Sequence, residues 1–213
     1  MEYTGNGTAG AKVAHGLSQA PEWIITKRLD STNSWHGYHS SQGATKYFLL
    51  DSTSAFGTSA LTWNNTAPDA TTFTLGSGNT NNNTGNFIAY CWHSVEGFSS
   101  IGSYKGNSSN DGPFVFTGFK PIWLLIKNVS DASQWRLFDG KRNIFNPVNI
   151  SLRLNATNAD ATNNTYYLLD FLSNGFKIRG AASTDMNSSS HNYAYIAFAE
   201  NPIHDGTSFG TAR

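Results

Sequence analysis

Two histidines, His36 and His39, are the first residues that suggest chemistry, because imidazole nitrogens are common ligands of zinc and other transition metals. Their spacing argues against one shared ion, since positions i and i+3 of a β-strand point to opposite faces of a sheet. Arg136 and Asp139 stand at the matching positions of a second, similar segment. The sequence therefore predicts no metal site at this pair and no cofactor elsewhere.

The sequence also gives little support for a catalytic site. A serine-hydrolase elbow would need Gly-x-Ser-x-Gly, and residues 97–102 (GFSSIG) have the wrong spacing. Cys91 is the only cysteine, so no internal disulfide can form, and its apolar surroundings predict a small buried thiol rather than a nucleophile. We therefore expect no enzymatic activity, although glycan cleavage by two facing carboxylates stays open, since sequence gives no distances.

Binding is the chemistry that the residue types favour. Tryptophan rings can stack on sugar rings, while nearby asparagines and serines supply neutral donors and acceptors. Trp35 and Trp135 recur at matching positions, which favours a structural role for that pair and leaves Trp63 as the better candidate. Two polar tracts hold almost no apolar residue to bury and are predicted to be exposed loops: residues 76–85 and 181–191. The predicted, weak glycan-binding site comprises Trp63, Asn81, Asn82 and Asn83.

The elements that would position these residues are short strands. Runs of four to eight β-forming residues are separated by Gly, Asn, Ser and Thr clusters, and no amphipathic helical period competes with them. The sequence predicts an all-β fold, an antiparallel β-sandwich of jelly-roll or concanavalin-like type. Candidate strands in the first half are residues 12–17, 23–28, 35–39, 47–51, 61–63, 72–75 and 87–95.

An internal repeat divides the chain. Residues 3–7 (YTGNG) return as 104–108 (YKGNS), residues 21–27 (PEWIITK) as 121–127 (PIWLLIK), and residues 86–92 (NFIAYCW) as 192–198 (NYAYIAF). Repetition at a fixed period indicates a duplicated structural unit. The predicted organisation is a first β-sandwich repeat over residues 3–102, a second over 103–202 and a C-terminal tail over 203–213.

Composition limits the partners. Fourteen basic residues balance fourteen acidic ones, so no positive field gathers nucleic acid or anionic lipid. No apolar stretch approaches the length of a membrane span, and the N-terminus lacks the features of a secretory signal, so we expect neither membrane insertion nor export by a cleaved signal. Together with the low charged fraction of 13%, these features suit a particle assembled in a cytoplasm and released by lysis.

Several phrases resemble a repeated domain of uncharacterised function in structural proteins of marine tailed phages. The phrases are residues 3–7 (YTGNG), 39–47 (HSSQGATKY), 63–68 (WNNTAP), 111–119 (DGPFVFTGF), 170–176 (DFLSNGF) and 197–202 (AFAENP). That domain occurs mostly in tail-fibre and other virion proteins. The resemblance covers nearly the whole chain and implies no catalytic residue.

The resemblance implies a phage structural protein located in the virion. We expect a non-enzymatic, surface-exposed component of a tail fibre or appendage that attaches to host-surface glycan. The alternatives are a capsid decoration protein that stabilises the head and a glycan depolymerase. The expected partners are other virion proteins, further copies of the same chain in a homo-oligomer, and host glycan.

Overall fold

The computed structural model describes residues 1–78, 81–162, 165–204 and 209–211. Within these ranges the protein is all-β, as predicted, with several antiparallel sheets and one short α-helix. The chain forms two compact units, Met1–His93 and Ser94–Arg213. The predicted repeat borders at 3–102 and 103–202 stay a prediction, and part of the tail 203–213 lies outside the described residues.

The first unit contains a six-stranded sheet in the order β1-β8-β3-β4-β5-β6 and a two-stranded sheet, β2-β7. All pairs are antiparallel. Its strands are β1 (Glu2–Thr4), β2 (Ala11–Ala14), β3 (Trp23–Arg28), β4 (His36–His39), β5 (Lys46–Leu49), β6 (Gly57–Thr58), β7 (Thr72–Leu75) and β8 (Asn86–Trp92).

The core of the first unit draws side chains from both of its sheets. Ile24 and Ala89 come from neighbouring strands of the large sheet, and Phe73 and Leu75 come from β7. Every second residue of β8 faces this core, as strand geometry requires, so Phe87 and Ala89 are buried whereas Tyr90 is not. The opposite face of the large sheet carries the exposed Tyr90 together with the buried Trp23 and Ile25 of β3.

The candidate strand at residues 61–63 is wrong, because the structure forms a one-turn helix, α1 (Ala60–Trp63). Ser59 caps its start by accepting a hydrogen bond from the Leu61 N–H at 3.1 Å. Asn64 ends it in the left-handed conformation with φ of 51°. The helix buries Trp63 and leaves Leu61 exposed.

The second unit contains a five-stranded sheet in the order β13-β12-β11-β16-β9, a three-stranded sheet, β10-β15-β14, and a two-stranded sheet, β17-β18. Its core draws from the first two of these sheets. Its strands are β9 (Ser99–Lys105), β10 (Phe114–Phe116), β11 (Pro121–Asn128), β12 (Arg136–Asp139), β13 (Ser151–Arg153), β14 (Leu169–Leu172), β15 (Gly175–Ile178), β16 (Asn192–Ala199), β17 (Pro202–His204) and β18 (Phe209–Thr211).

A buried ion pair distinguishes the second unit. Arg136 Nη2 lies 2.6 Å from Asp185 Oδ2, and the Arg136 side chain is almost fully buried. The guanidinium also lies 3.5 Å from the centre of the Tyr167 ring. Asp185 accepts a further hydrogen bond from the Gln134 N–H at 3.1 Å. The carboxylate thereby fixes two segments of the unit at once.

Candidate functional site

The predicted glycan-binding residues are mostly buried. Trp63 is 1% exposed, Asn81 and Asn82 are fully buried, and Asn83 is half-buried. Trp63 packs edge-on against Tyr38 at 6.0 Å between ring centroids. The expectation of an exposed loop over residues 76–85 is therefore wrong at Asn81 and Asn82, and no face of Trp63 is open to a sugar.

Asn82 is buried because its amide ties three segments of the first unit together. Its Oδ1 accepts a hydrogen bond from the Asn6 N–H at 3.1 Å, and its Nδ2 donates to the carbonyls of Thr8 at 2.8 Å and Gly76 at 2.6 Å. Its own carbonyl accepts from the Gly7 N–H. We call this arrangement the asparagine bridge.

Asn187 makes the same bridge in the second unit. Its Oδ1 accepts from the Asn107 N–H at 2.9 Å, and its Nδ2 donates to the carbonyls of Ser109 at 2.8 Å and Gly180 at 3.0 Å. The carbonyl of Asn187 accepts from the Ser108 N–H. The prediction of an exposed loop is thus wrong at Asn187 too, since both asparagines have structural partners for all their amide groups.

The two histidines do not meet at a metal site. His36 and His39 are both buried in β4, where His36 stacks on Tyr47 at 5.5 Å and His39 packs against Trp23 at 5.1 Å. Burial lowers the pKa of His36, so its imidazole stays neutral near neutral pH. Within the described ranges, no three His, Cys, Asp or Glu side chains cluster as metal ligands.

Three aromatic side chains form a row on the face of the large sheet opposite to Phe87 and Ala89, beside the buried Ile25 of β3. Tyr90 lies between the other two, with ring centroids 6.5 Å from Trp35 and 6.1 Å from Trp92. The interplanar angles are 28° and 17°, so the rings are nearly parallel. Tyr90 is 42% exposed, and both tryptophans are half-buried. We call Trp35, Tyr90 and Trp92 the aromatic row.

Polar groups of both signs border the aromatic row. Lys27 places its Nζ 5.8 Å from the centre of the Trp35 ring and donates a hydrogen bond to the carbonyl of Asn33. The exposed Asp51 accepts from the Trp35 N–H at 3.2 Å. The row therefore combines partly exposed aromatic surface with an ammonium and a carboxylate beside it, a combination suited to ligands with apolar faces and hydroxyl groups.

Tyr90 is not among the binding residues predicted from the sequence, although its position relative to Trp92 was a usable signal. Tyr90 and Trp92 are two residues apart in a strand, so they must share one face. Cys91 points to the opposite face, and burial raises the pKa of its thiol to about 11. The thiol is therefore protonated at neutral pH and is a poor nucleophile.

The second unit has no equivalent row within its described residues. The matching positions are Trp135, Ile196 and Phe198, of which Trp135 is completely buried and Ile196 is 4% exposed. Lys127 lies 5.8 Å from the Trp135 ring, as Lys27 does from Trp35, but it is fully buried. The second unit thus buries Trp135 and Ile196 at the positions of Trp35 and Tyr90, whereas Phe198 is half-buried like Trp92.

One cavity in the second unit, of about 170 Å³, has one acidic side chain, Glu200, and two basic ones, Lys120 and Lys141, in its wall. Glu200 Oε2 lies 2.7 Å from Lys120 Nζ, so the carboxylate is ion-paired. The remaining lining residues carry no second carboxylate. Canonical glycoside hydrolysis needs two facing carboxyl groups, which this cavity does not provide.

The chain belongs to the family of a domain of unknown function (DUF7483), whose profile matches residues 1–202. No curated protein and no solved structure matches the chain. In the part of the chain that the structure describes, no helix has the length and apolar character that a membrane crossing needs. The family description names no activity.

Proposed function

For this member of the DUF7483 family, we propose a non-enzymatic role as a surface-exposed component of a phage virion that attaches to host-surface glycan. The observation that carries the binding role is the aromatic row, with Tyr90 42% exposed and flanked by two indole rings. Aromatic rings stack on the apolar faces of sugars, and the Tyr90 hydroxyl adds a donor and an acceptor. This binding site replaces Trp63 and residues 81–83.

The virion location, in a tail fibre or appendage, is supported by the sequence resemblance to domains of tailed-phage structural proteins. Other virion proteins and further copies of the chain are then its partners. The polar residues of the long loops support a passive role, because Asn82 and Asn187 are used to hold backbone segments together and are not available for chemistry. Capsid decoration is the alternative that the same resemblance allows.

We also propose that the two units are copies of one antiparallel β-sandwich. The strand order β1-β8-β3-β4-β5 in the first unit corresponds to β9-β16-β11-β12-β13 in the second. Tyr3 pairs with Phe87 in the first unit and Tyr104 pairs with Tyr193 in the second, both as stacked rings. The asparagine bridge occurs in both units with the same three side-chain hydrogen bonds.

A glycan array tests the binding role. Wild type should bind a subset of bacterial surface polysaccharides, and Tyr90→Ala should weaken that binding about tenfold, since an aromatic contact contributes on the order of 1 kcal/mol beyond its buried area. Tyr166→Ala is the matched control, because Tyr166 is 52% exposed and lies outside the aromatic row. Equal binding by wild type and Tyr90→Ala would remove the support for this site.

The location in the virion and the non-enzymatic role are tested by separate measurements. Antibody labelling of purified virions should mark the tail or its appendages, and labelling of the head instead would favour the decoration role. Incubation of the protein with a polysaccharide that it binds should release no reducing sugar. Release of reducing ends that persists in a homogeneous preparation would show a depolymerase and contradict the non-enzymatic role.

A further inference from the structure

Strand β10 forms one edge of the three-stranded sheet in the second unit. It pairs with β15 on one side, and no described residue pairs with its other side. At the two ends of β10, the carbonyl of Pro113 and the N–H of Thr117 each make a hydrogen bond of 3.0 Å to β15 or to the residue before it. Every second residue of an antiparallel strand bonds to the same side. Val115 therefore bonds to β15, whereas the peptide groups of Phe114 and Phe116 point to the open edge.

The side chains at this edge are apolar and exposed. Phe114 is 44% exposed and Phe116 is 66% exposed, while Val115 between them is buried in the core of the unit. The Phe114 ring lies over Gly175 of β15, where an added Cβ would be 3.0 Å from its Cε2 atom. Sheet edges with free peptide groups and exposed apolar side chains pair readily with another strand. The open edge of β10 is therefore a candidate interaction surface.

The equivalent edge of the first unit is protected by a charge. In β2, Val13 occupies the place of Val115, because each valine lies opposite the matching phenylalanine of the next strand. The residues on either side of Val13 are Lys12 and Ala14, and both are exposed. A lysine on an edge strand opposes pairing with a further strand. The pair of exposed phenylalanines is thus a feature of the second unit alone.

We propose that β10 pairs with β10 of a second copy of the chain, antiparallel and edge to edge. The twofold axis passes between the two copies of Val115. Phe114 of each copy then lies opposite Phe116 of the other, and each of these two pairs exchanges two backbone hydrogen bonds. All the open peptide groups of Phe114 and Phe116 gain partners, and the four rings form two aromatic cross-strand pairs.

Symmetry and charge point to a second copy as the occupant. The sequence Phe-Val-Phe is self-complementary in an antiparallel pair, as the identical surfaces of a twofold dimer require. A charge close to the twofold axis would face the same charge of the other copy, and residues 112–119 contain no charged side chain. Lys177 lies opposite Phe114 on β15, and Asp111 neutralises it at 2.8 Å. No like charges therefore oppose the contact.

The buried area sets the strength of this dimer. The exposed fractions of Phe114 and Phe116 correspond to roughly 200 Å² per copy, or roughly 400 Å² for two copies. This is less than the area of about 1,000 Å² that stable interfaces exceed, although backbone hydrogen bonds add to the contact. We expect a reversible dimer with a dissociation constant on the order of 100 µM.

A double variant of the full-length chain tests the surface. Phe114→Lys combined with Phe116→Ala gives the second unit the edge residues of the first, and it leaves Val115 in the core. Phe145→Lys is the matched control, because Phe145 is a 75% exposed phenylalanine of the same unit that lies outside β10. Circular dichroism should show the same strand content for both variants and wild type.

Analytical ultracentrifugation with a reducing agent measures self-association. Wild type and Phe145→Lys should form dimers equally strongly and stop at two copies, whereas the double variant should associate at least about tenfold more weakly. A wild type that is monomeric up to about 1 mM would overturn the inference, and so would a double variant that dimerises like wild type. Assemblies larger than a dimer that the double variant abolishes would contradict the twofold pairing.

Hydrogen exchange tests the register of the contact. The amides of Phe114 and Phe116 should exchange with deuterium more slowly when the protein concentration exceeds the dissociation constant. The amide of Val115 is already bonded to β15 and should change little. Equal exchange of Phe114 and Phe116 in monomer and dimer would overturn the strand pairing.

This inference names a surface for the self-association proposed above, and it needs neither glycan binding nor a virion location. A monomeric wild type that binds glycan would remove only the pairing of β10. A dimer that binds no glycan would remove only the glycan-binding role.

Discussion

Replacing Asn82 by aspartate should remove much of the stability of the first unit while changing the shape of the side chain very little. The Asn82 Nδ2 donates to the carbonyls of Thr8 and Gly76 at 2.8 and 2.6 Å. A carboxylate oxygen in that place cannot donate, so two short hydrogen bonds become contacts between acceptors. Each such bond contributes about 1 kcal/mol, and an unpaired buried polar group costs about 1 to 3 kcal/mol.

We therefore expect Asn82→Asp to lower the free energy of unfolding by at least about 3 kcal/mol, a large share of the 5 to 15 kcal/mol typical of a domain. Burial, with no donor facing the oxygen that replaces Nδ2, raises the pKa of the new carboxyl, so the folded protein holds the proton more tightly than the unfolded chain does. The loss of stability should consequently be largest at neutral pH and smaller in acid.

Urea denaturation followed by tryptophan fluorescence gives these free energies. Asn187→Asp should destabilise the second unit by a similar amount, because its amide makes the same three bonds. Asn83→Asp is the matched control, since the Asn83 Oδ1 accepts from the N–H and hydroxyl of Thr84 and a carboxylate oxygen also accepts. Stability of Asn82→Asp within about 0.5 kcal/mol of wild type would refute the bridging role.

Three further substitutions test other contacts. Burial lowers the pKa of Lys127 from 10.5 to about 8. Between these two pH values the lysine is therefore protonated in the unfolded chain but not in the folded protein. The free energy of unfolding should consequently rise with pH over this range, by at most about 3 kcal/mol. Titration of Lys127→Met by chemical denaturation should lack this rise, and an unchanged rise would exclude the lysine as its cause. Asp185→Asn should lower the thermal midpoint and reduce the free energy of unfolding by about 3 kcal/mol or more, because it leaves the Arg136 charge buried without its partner. A variant as stable as wild type would show that the ion pair is dispensable for stability. Gly37→Ala should lower the free energy of unfolding, measured by denaturation, by about 1 to 3 kcal/mol, since the added methyl group would lie 1.9 Å from the buried Phe48 ring. No loss of stability would mean that the Phe48 ring can move aside freely.

The strands were the most predictable part of the fold. Residues 23–28 and 72–75 form β3 and β7 with the predicted bounds, because β-branched and aromatic residues there are flanked by turn-forming residues. The helix α1 was missed, since a single turn has too few residues to show a helical period. Its capping residues, Ser59 and Asn64, were visible in the sequence and were the better signal.

The candidate site was less predictable because it depends on contacts between distant segments. Asn82 looks like a loop residue in the sequence, and its burial follows only from meeting Asn6 and Thr8 from the other end of the unit. Tyr90 has the pattern of any residue in a strand with one buried face. Its partial exposure depends on which neighbouring strand covers the edge of β8, and that is decided by tertiary pairing.

Uncharged asparagine amides hold the long loops of both units, so the loop conformation should depend little on salt concentration. Dissolved ions screen attraction between charges but leave hydrogen bonds between neutral groups almost unchanged. The exposed pair Lys12 and Asp69, 3.6 Å apart, contributes little in any case. Loops tied by Asn82 and Asn187 should therefore keep one conformation from low to high salt concentration, and the surfaces that they support should keep their shape.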